Sequence, residues 1–300
     1  MKKFTLEGYK AYKESKIKSE VVPTSIPSLN EILGGGLRTR NFCVMIAGTG
    51  VGKTTTMMGF MLDVIEAGKK VAFLSIDEED QFEVAERISC MHNRIKYERL
   101  ISNSLSEEES QKIDDYIVGE LAQKSEIYFS TDPFKVNKKE DIVDPTTGIV
   151  KKYKYERDID IVIQDMLAKN IKYLFIDYLG AVIADEQAKM YSKLTEYSSI
   201  LKATANDYNL MIFTAMQTNR DLKKAMKQTD FDATLVDESY MADSIGPARK
   251  ATICFSLVKP QGKPATLNVF KNRLNGRIGS IDIKIDPLSL RWDEFYDFEA

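Results

Sequence analysis

Short, almost purely apolar runs alternate with amphipathic stretches along this chain. The runs are Phe42-Cys43-Val44-Met45-Ile46, Val71-Ala72-Phe73-Leu74-Ser75-Ile76, Ile171-Lys172-Tyr173-Leu174-Phe175-Ile176, Leu210-Met211-Ile212-Phe213-Thr214-Ala215 and Ala251-Thr252-Ile253-Cys254-Phe255-Ser256-Leu257. Runs of this length with few polar breaks predict strands buried on both faces. Between them, helical spacing predicts helices over 54–67, over the stretch holding Phe82, Val84, Ala85, Ile88 and Met91, and over 106–124, 156–169 and 190–207, with a short one near 239–248. Ile127-Tyr128-Phe129 reads as one further short strand. Strands alternating with helices predict an α/β fold, a mainly parallel twisted sheet flanked by helices. Residues 265–292 alternate instead, which predicts antiparallel C-terminal strands, with Trp292 near their end.

The ends and gaps of this pattern set the domain boundaries. Residues 1–20, with Lys10, Lys13, Lys16 and Lys18, predict a polar helix whose thin apolar face is Leu6, Tyr9 and Tyr12. Such a face is too small for a core of its own; it docks on the following domain or on a neighbouring subunit, or stays solvated. Pro23 and Pro27 break the regularity, so residues 1–23 are expected to form a linker helix and 24–300 the main domain. The segment Thr24 to Leu33, ending in Gly34-Gly35-Gly36-Leu37, reads as a short helix stopped by glycines. From Thr131 to about Tyr155 the periodicity is lost, which predicts a long surface excursion, with a hairpin turning at Thr147-Gly148. Residues 218–237 are polar and read as loop.

Composition narrows the class. The chain has 300 residues, 43% of them apolar and 29% charged, the balance of a globular protein. A formal net charge of −3 argues against a surface that coats nucleic acid broadly, while leaving room for a local basic channel. Cys43, Cys90 and Cys254 are far apart, and two lie inside strand-like runs, so free buried thiols in a reducing compartment are expected. The single histidine, His92, has no metal-ligand partner at useful spacing. No apolar run approaches a membrane span and no secretory leader core follows Lys2-Lys3, so the chain is expected to be cytoplasmic, with no membrane partner.

The chemistry concentrates at Ala47-Gly48-Thr49-Gly50-Val51-Gly52-Lys53-Thr54, between the first predicted strand and the first long helix. Strand, glycine loop and helix, in that order, make a phosphate cradle: backbone N–H groups converge where no Cβ intervenes, and the helix points its positive end at the same anion. Gly48, Thr49, Gly50, Val51, Gly52, Lys53, Thr54 and Thr55 are the expected nucleotide-binding residues. Lys53 reaches the β- and γ-phosphates, and the Thr54 hydroxyl ligates Mg²⁺. Ala47 stands at the first position of the pattern, where glycine is the strict form. The competing reading, an ordinary glycine-rich turn, does not explain the strand and helix on either side.

Groups at the ends of other strands complete the expected site. Asp177 ends an apolar run, and parallel strands deliver their last residues to the edge where the glycine loop lies, so Asp177 is expected to hold Mg²⁺ opposite Thr54. Asp77, Glu78 and Glu79 end another strand at that edge; Glu78 is the expected base that polarises the attacking water, with Asp77 the alternative, and an acidic first helical turn the bland reading. Gln217 follows a fourth strand and is placed to bond the γ-phosphate. Arg220, Lys223, Lys224 and Lys227 form a cationic stretch able to track a nucleic-acid backbone, though Asp221, Asp230 and Asp232 dilute it toward a plain solvated loop. Lys271 and Arg273, two residues apart at a strand end, share a face and can reach one phosphate; an exposed charged strand is the alternative.

Taken in order, Leu33-Gly34-Gly35-Gly36-Leu37, Ala47–Thr54, Leu74-Ser75-Ile76-Asp77-Glu78, Ile176-Asp177-Tyr178-Leu179-Gly180, Ala215-Met216-Gln217-Thr218-Asn219-Arg220, Met241–Ala248 and Lys271-Asn272-Arg273 resemble the RecA-like motor domain of DnaB-family replicative DNA helicases, in detail the T-even-phage type. The resemblance covers about residues 24–285. It implies a RecA-like P-loop NTPase fold, a hexameric ring around single-stranded DNA, and ATP-driven 5′-to-3′ translocation that unwinds duplex, with ATP and Mg²⁺ as cofactors and a primase or helicase loader as partner. It makes Lys271 and Arg273 the cations that complete a neighbour's ATP site, and assigns DNA contact to the loop after Gln217 and to the 184–193 region, Lys189 included. Residues 1–20 match the helix that packs on the adjacent subunit. Two departures stand out. Family members usually carry a sizeable N-terminal domain ahead of this helix, so the expectation is either a compact or truncated form, or ring assembly and primase contact arranged otherwise. The family's Ser-x-Glu appears as Ser75-Ile76-Asp77-Glu78, one residue out. A RecA/RadA-type recombination ATPase and a non-unwinding ATP-gated clamp or assembly protein are the alternative readings.

Overall fold

In the computed structural model the described residues are all except 1–4, 18, 77–79, 136, 144–149, 182–186, 229–230, 243–244, 261–262, 287, 289 and 296–300. Nine strands among them form one sheet. In chain order they are β1 (Asn41–Ala47), β2 (Val71–Ile76), β3 (Ser125–Ser130), β4 (Tyr173–Asp177), β5 (Met211–Gln217), β6 (Ile253–Val258), β7 (Ala265–Asn272), β8 (Gly279–Ile285) and β9 (Trp292–Glu294). Across the sheet the order is β9-β8-β7-β6-β1-β5-β4-β2-β3. The six strands from β6 to β3 run parallel, and β7, β8 and β9 are antiparallel to their neighbours. The parallel core and antiparallel C-terminal strands are as the hydrophobic pattern predicts.

The apolar runs lack alternation because both faces of the sheet are covered. Along β1, Cys43, Met45 and Ala47 join one core cluster with the Lys53–Glu66 helix. Phe42, Val44 and Ile46 join the other, with the Asp158–Ala168 and Gln187–Asp207 helices. Met57, Met58 and Met61 are fully buried, so the Met-rich helix face is core packing. Phe213 at the centre of the sheet meets Phe60 edge-on at 5.6 Å and Phe255 at 5.5 Å. Each fully buried side chain of this size contributes roughly 1.5–3 kcal/mol.

Several elements differ from the predicted pattern. The 106–124 stretch starts at a capping box made by Ser106 and Glu109, and it passes through a π turn at Ile117–Leu121 before ending at Lys124. Within the supposed 218–237 loop lies a helix, Arg220–Ala225. The helix expected over 239–248 is instead a 3₁₀ turn at Glu238–Tyr240 followed by Gly246–Lys250, with Pro247 in its first turn. The excursion is a hairpin, Asn137–Val143 against Val150–Glu156; its expected turn at Thr147-Gly148 lies outside the described residues.

Leu6–Ile17 is helical, and Leu6 and Tyr9 are exposed at 67% and 46%. The chain after that helix is tied to the sheet: Val21–Val22 pairs with Leu37–Arg38, and Glu20 forms ion pairs with Lys69 at 3.0 Å and with Lys172. At the far edge Arg291 bonds Glu66 at 2.9 Å and also Asp63, fastening the C-terminal strands to the helix after the glycine loop. Cys43, Cys90 and Cys254 are free and buried, and burial pushes all three thiols up. His92 stacks on Tyr116 at 4.0 Å. Among the described residues no three His, Cys, Asp or Glu side chains cluster to hold a metal, and no helix is long and apolar enough to cross a membrane.

Candidate functional site

The glycine loop emerges from β1 at the edge where the parallel strands end. Gly50 and Gly52 have φ of 74° and 107°, a backbone that residues with a Cβ rarely adopt. The loop turns back on itself through Val51 N–H to Gly48 O at 3.3 Å. Gly52 then caps the Lys53–Glu66 helix, with its carbonyl accepting from Thr56 N at 2.9 Å and Thr56 Oγ1 at 2.8 Å. The helix start is therefore aimed into the loop, where its free N–H groups and positive dipole end favour an anion. A contact the sequence did not announce supports the loop from behind. Trp292 donates its indole N–H to Thr56 Oγ1, and its ring would lie 3.3 Å from a Cβ at Gly52.

Among the described residues, the ends of β4 and β5 meet this loop. Thr54 Oγ1 donates to Asp177 Oδ2, and Asp177 is only 2% exposed at the end of β4. A hydroxyl and a carboxylate in contact at the loop are an all-oxygen pair, the donor type that Mg²⁺ takes. Gln217 lies directly across from Ala47 in the β1–β5 register, and Thr218 N–H donates to Ala47 O at 3.2 Å. The Gln217 Nε2 donates to the Tyr178 hydroxyl at 3.0 Å, and the Lys53 ammonium lies 5.6 Å from the centre of the Tyr178 ring. Tyr178 was quoted within a motif but given no role from sequence, and Arg87, which reaches Thr55 Oγ1 at 3.4 Å, was not named. Tyr178 follows Asp177 directly, but nothing in its position along the chain distinguishes it from a core tyrosine. Asp77, Glu78 and Glu79, with the expected base among them, lie outside the described residues.

A cavity of about 810 Å³ runs from Gly48, Thr49 and Val51 past Gln217 and Thr218 to Arg220, Lys223 and Met226. It joins the loop to the cationic stretch. There Asn219 caps the Arg220–Ala225 helix by accepting from Asp221 N and Leu222 N at 3.1 and 3.2 Å, and buried Leu222 anchors it. Arg220, Lys223, Lys224 and Lys227 are exposed, and Lys224 pairs with Asp221 at 2.9 Å. Lys189 falls in the Gln187–Asp207 helix, and its side chain is outside the described set.

Lys271 and Arg273 lie at the opposite edge of the sheet. β7 runs against β6, so Asn272 pairs with Ile253, and Ile253 pairs with Cys43 near the start of β1. The loop leaves β1 four residues later, about 13 Å along the strand. Both cations reach one carbonyl, Arg249 O, Lys271 at 3.3 Å and Arg273 at 3.2 Å, and Lys271 also reaches Ala248 O. Arg273 also lines a cavity of about 490 Å³ with Arg38, Arg40 and Lys202. Burial, followed by the charges of Arg273 and Arg40, holds the Lys202 ammonium below the usual lysine range. Burial likewise lowers Lys271. No single run marks this basic cluster in the sequence, because its members come from three distant segments.

The fold is shared with solved structures. One of them, an isolated ATPase domain, superposes with a TM-score of 0.71 at 15% identity, covering 98% of this chain and 100% of that one. A DnaB-like replicative helicase, determined with its interactions with primase, superposes with the same score and identity over 98% of this chain and 68% of that one. Both place the chain among RecA-like domains. Among curated proteins, UPF0273 protein MK0039 of Methanopyrus kandleri is 36% identical over 59 residues, which is 20% of this chain and 23% of that relative. The model of the DnaB-like helicase C-terminal domain matches residues 21–294. With that match spanning nearly the whole sequence, the chain belongs to the DnaB-like helicase C-terminal domain family and is a helicase-type ATPase domain.

Proposed function

We propose that this chain is the motor of a ring-forming replicative DNA helicase, a homo-hexamer that hydrolyses ATP to move 5′ to 3′ along single-stranded DNA and separate duplex. Residues 1–23 are its linker helix and 24–300 its motor domain, with a primase or helicase loader as a further partner. The observation that carries this reading is the placement of Lys271 and Arg273 at the sheet edge away from their own glycine loop. Cations so placed serve a triphosphate held by an adjacent copy, which makes hydrolysis a property of the assembly.

Within one copy, Gly48 to Thr55 bind the triphosphate, with Lys53 on its terminal phosphates. Thr54 and Asp177 are the residues that hold Mg²⁺, which supplies charge neutralisation on the phosphate oxygens. Glu78, or Asp77 beside it in sequence, takes the proton of the attacking water. Gln217 bonds the γ-phosphate, while the neighbour's Lys271 and Arg273 stabilise the charge that builds in transfer. Arg220, Lys223, Lys224 and Lys227, together with Lys189, contact the DNA backbone.

A forked DNA substrate with ATP and Mg²⁺ tests the reading. ATP-dependent strand separation from a 5′ tail is expected. Strand exchange in its place identifies a recombination ATPase, and hydrolysis with neither identifies a clamp.

A further inference from the structure

Tyr178 stands between two groups of the nucleotide site that arrive from different elements. The Lys53 ammonium lies 5.6 Å from the centre of its ring, and its hydroxyl accepts the Gln217 Nε2 hydrogen bond at 3.0 Å. The ring takes space that a side chain at position 180 would fill: a Cβ built on Gly180 would lie 3.0 Å from ring atom Cε2 and 3.3 Å from Cδ2. The segment that carries it is pinned to β5, because Leu179 N–H donates to Thr214 Oγ1 at 3.3 Å and that hydroxyl donates to Ile176 O at 3.0 Å. Beyond Tyr178, Gln217 is the last residue of β5, and its carbonyl accepts from Ala242 N at 2.9 Å. Two residues further, Asn219 caps the exposed cationic helix. A continuous set of contacts therefore joins the loop lysine to the first turn of the Arg220–Ala225 helix.

We propose that Tyr178 is the positioning residue that couples nucleotide binding to binding of a polyanionic strand at the Arg220–Ala225 helix. The inference rests on the function proposed above. An ammonium is attracted to the negative face of an aromatic ring, and more strongly to a phosphate. A shift of Lys53 toward phosphate therefore changes its contact with a ring whose backbone is pinned to β5 by the Leu179 and Thr214 hydrogen bonds. The strain passes through the phenol hydroxyl to the Gln217 amide, and from there to the turn that Asn219 caps. Coupling between two binding sites is reciprocal, so a strand held by the helix must strengthen nucleotide binding by the same factor.

The test measures affinity of the full chain for a labelled single-stranded oligonucleotide, with and without a non-hydrolysable ATP analogue and Mg²⁺. The wild type should bind the oligonucleotide more tightly with the analogue. Tyr178→Phe keeps the ring and removes the hydroxyl, and should cut that enhancement about fivefold, the equivalent of one neutral hydrogen bond. Gln217→Met removes the same bond together with the γ-phosphate contact proposed for Gln217, so Tyr178→Phe added to it should lose no more than Gln217→Met alone. Wild-type coupling in Tyr178→Phe, or losses that multiply in the double variant, overturns the inference. If Tyr178→Phe melts below the assay temperature, unchanged coupling in Gln217→Met overturns it equally. A wild type whose oligonucleotide affinity the analogue leaves unchanged overturns the inference before any variant is made. The functional reading then stands or falls separately, on strand separation of the fork.

Discussion

Thr54 and Asp177 are 123 residues apart in the chain, and the hydroxyl of one donates to the carboxylate of the other. The pair forms because parallel strands end at one edge: β4 delivers Asp177 beside the helix whose first turn holds Thr54. If the two share a cation, removing either oxygen weakens it without emptying the phosphate loop. Thr54→Ala and Asp177→Asn should each raise the Mg²⁺ concentration for half-maximal ATP hydrolysis by about tenfold or more, roughly the effect of losing one charge-assisted contact. A Mg²⁺ titration that matches the wild type in both variants removes the metal assignment.

Arg273→Ala should leave nucleotide binding nearly intact while lowering turnover by about a thousandfold or more, the scale of a lost trans-acting arginine. Lys53→Ala removes the phosphate cation and should be inactive alone. Mixed assemblies of the two variants contain some junctions with an intact Lys53 on one side and an intact Arg273 on the other. Activity should therefore return in the mixture. Steady-state hydrolysis across mixing ratios reads this directly, and a flat zero at every ratio argues against a shared site.

The exposed cations after Gln217 make a prediction about salt. Lys224 is paired with Asp221, so Lys223 and Lys227 are the better probes. Each phosphate contact on a single strand adds about 0.7 to the slope of log affinity against log salt. Lys223→Ala with Lys227→Ala should flatten that slope by about 1.4 and weaken all oligonucleotide sequences alike. Unchanged slopes in anisotropy titrations would place the strand elsewhere.

Glu20 offers a pH test of how the N-terminal segment is held. Burial works against its charge, but the Lys172 and Lys69 ammonium groups outweigh that and hold its carboxyl below the usual range. A carboxyl lowered on folding stabilises above its unfolded value and loses that contribution as pH falls through the folded one. Glu20→Gln should thus cost roughly 1 kcal/mol near neutral pH. The gap between wild type and variant should close as pH drops below about 4. Thermal melts of both proteins from about pH 3 to 8 check the sign, and a gap that widens toward acid contradicts it.

The strands were legible because a sheet covered on both faces needs apolar side chains on successive residues, as at Phe42 to Ile46 and Ile212, Phe213 and Ala215. The glycine loop was legible because its backbone conformation at Gly50 and Gly52 demands the residue type. The Arg220–Ala225 helix was not: six mostly charged residues show no periodicity, and the helix forms on the Asn219 cap and one buried leucine. The role of Trp292 behind the loop was equally hidden, since its partner Thr56 is 236 residues away. Tyr178 was quoted within a motif, but only its contacts with Lys53 and Gln217 single it out.

By itself the sequence determined that a glycine loop sits between a buried strand and a helix, because loop conformation and burial are written in neighbouring residue types. It also determined that Asp177 and Gln217 share the loop's edge, because parallel strands align their ends. The tertiary structure decided that Lys271 and Arg273 lie at the other edge and gather with Arg38, Arg40 and Lys202. Strand order and register are set by packing between segments far apart in the chain, and no local pattern encodes which distant cations that packing brings together.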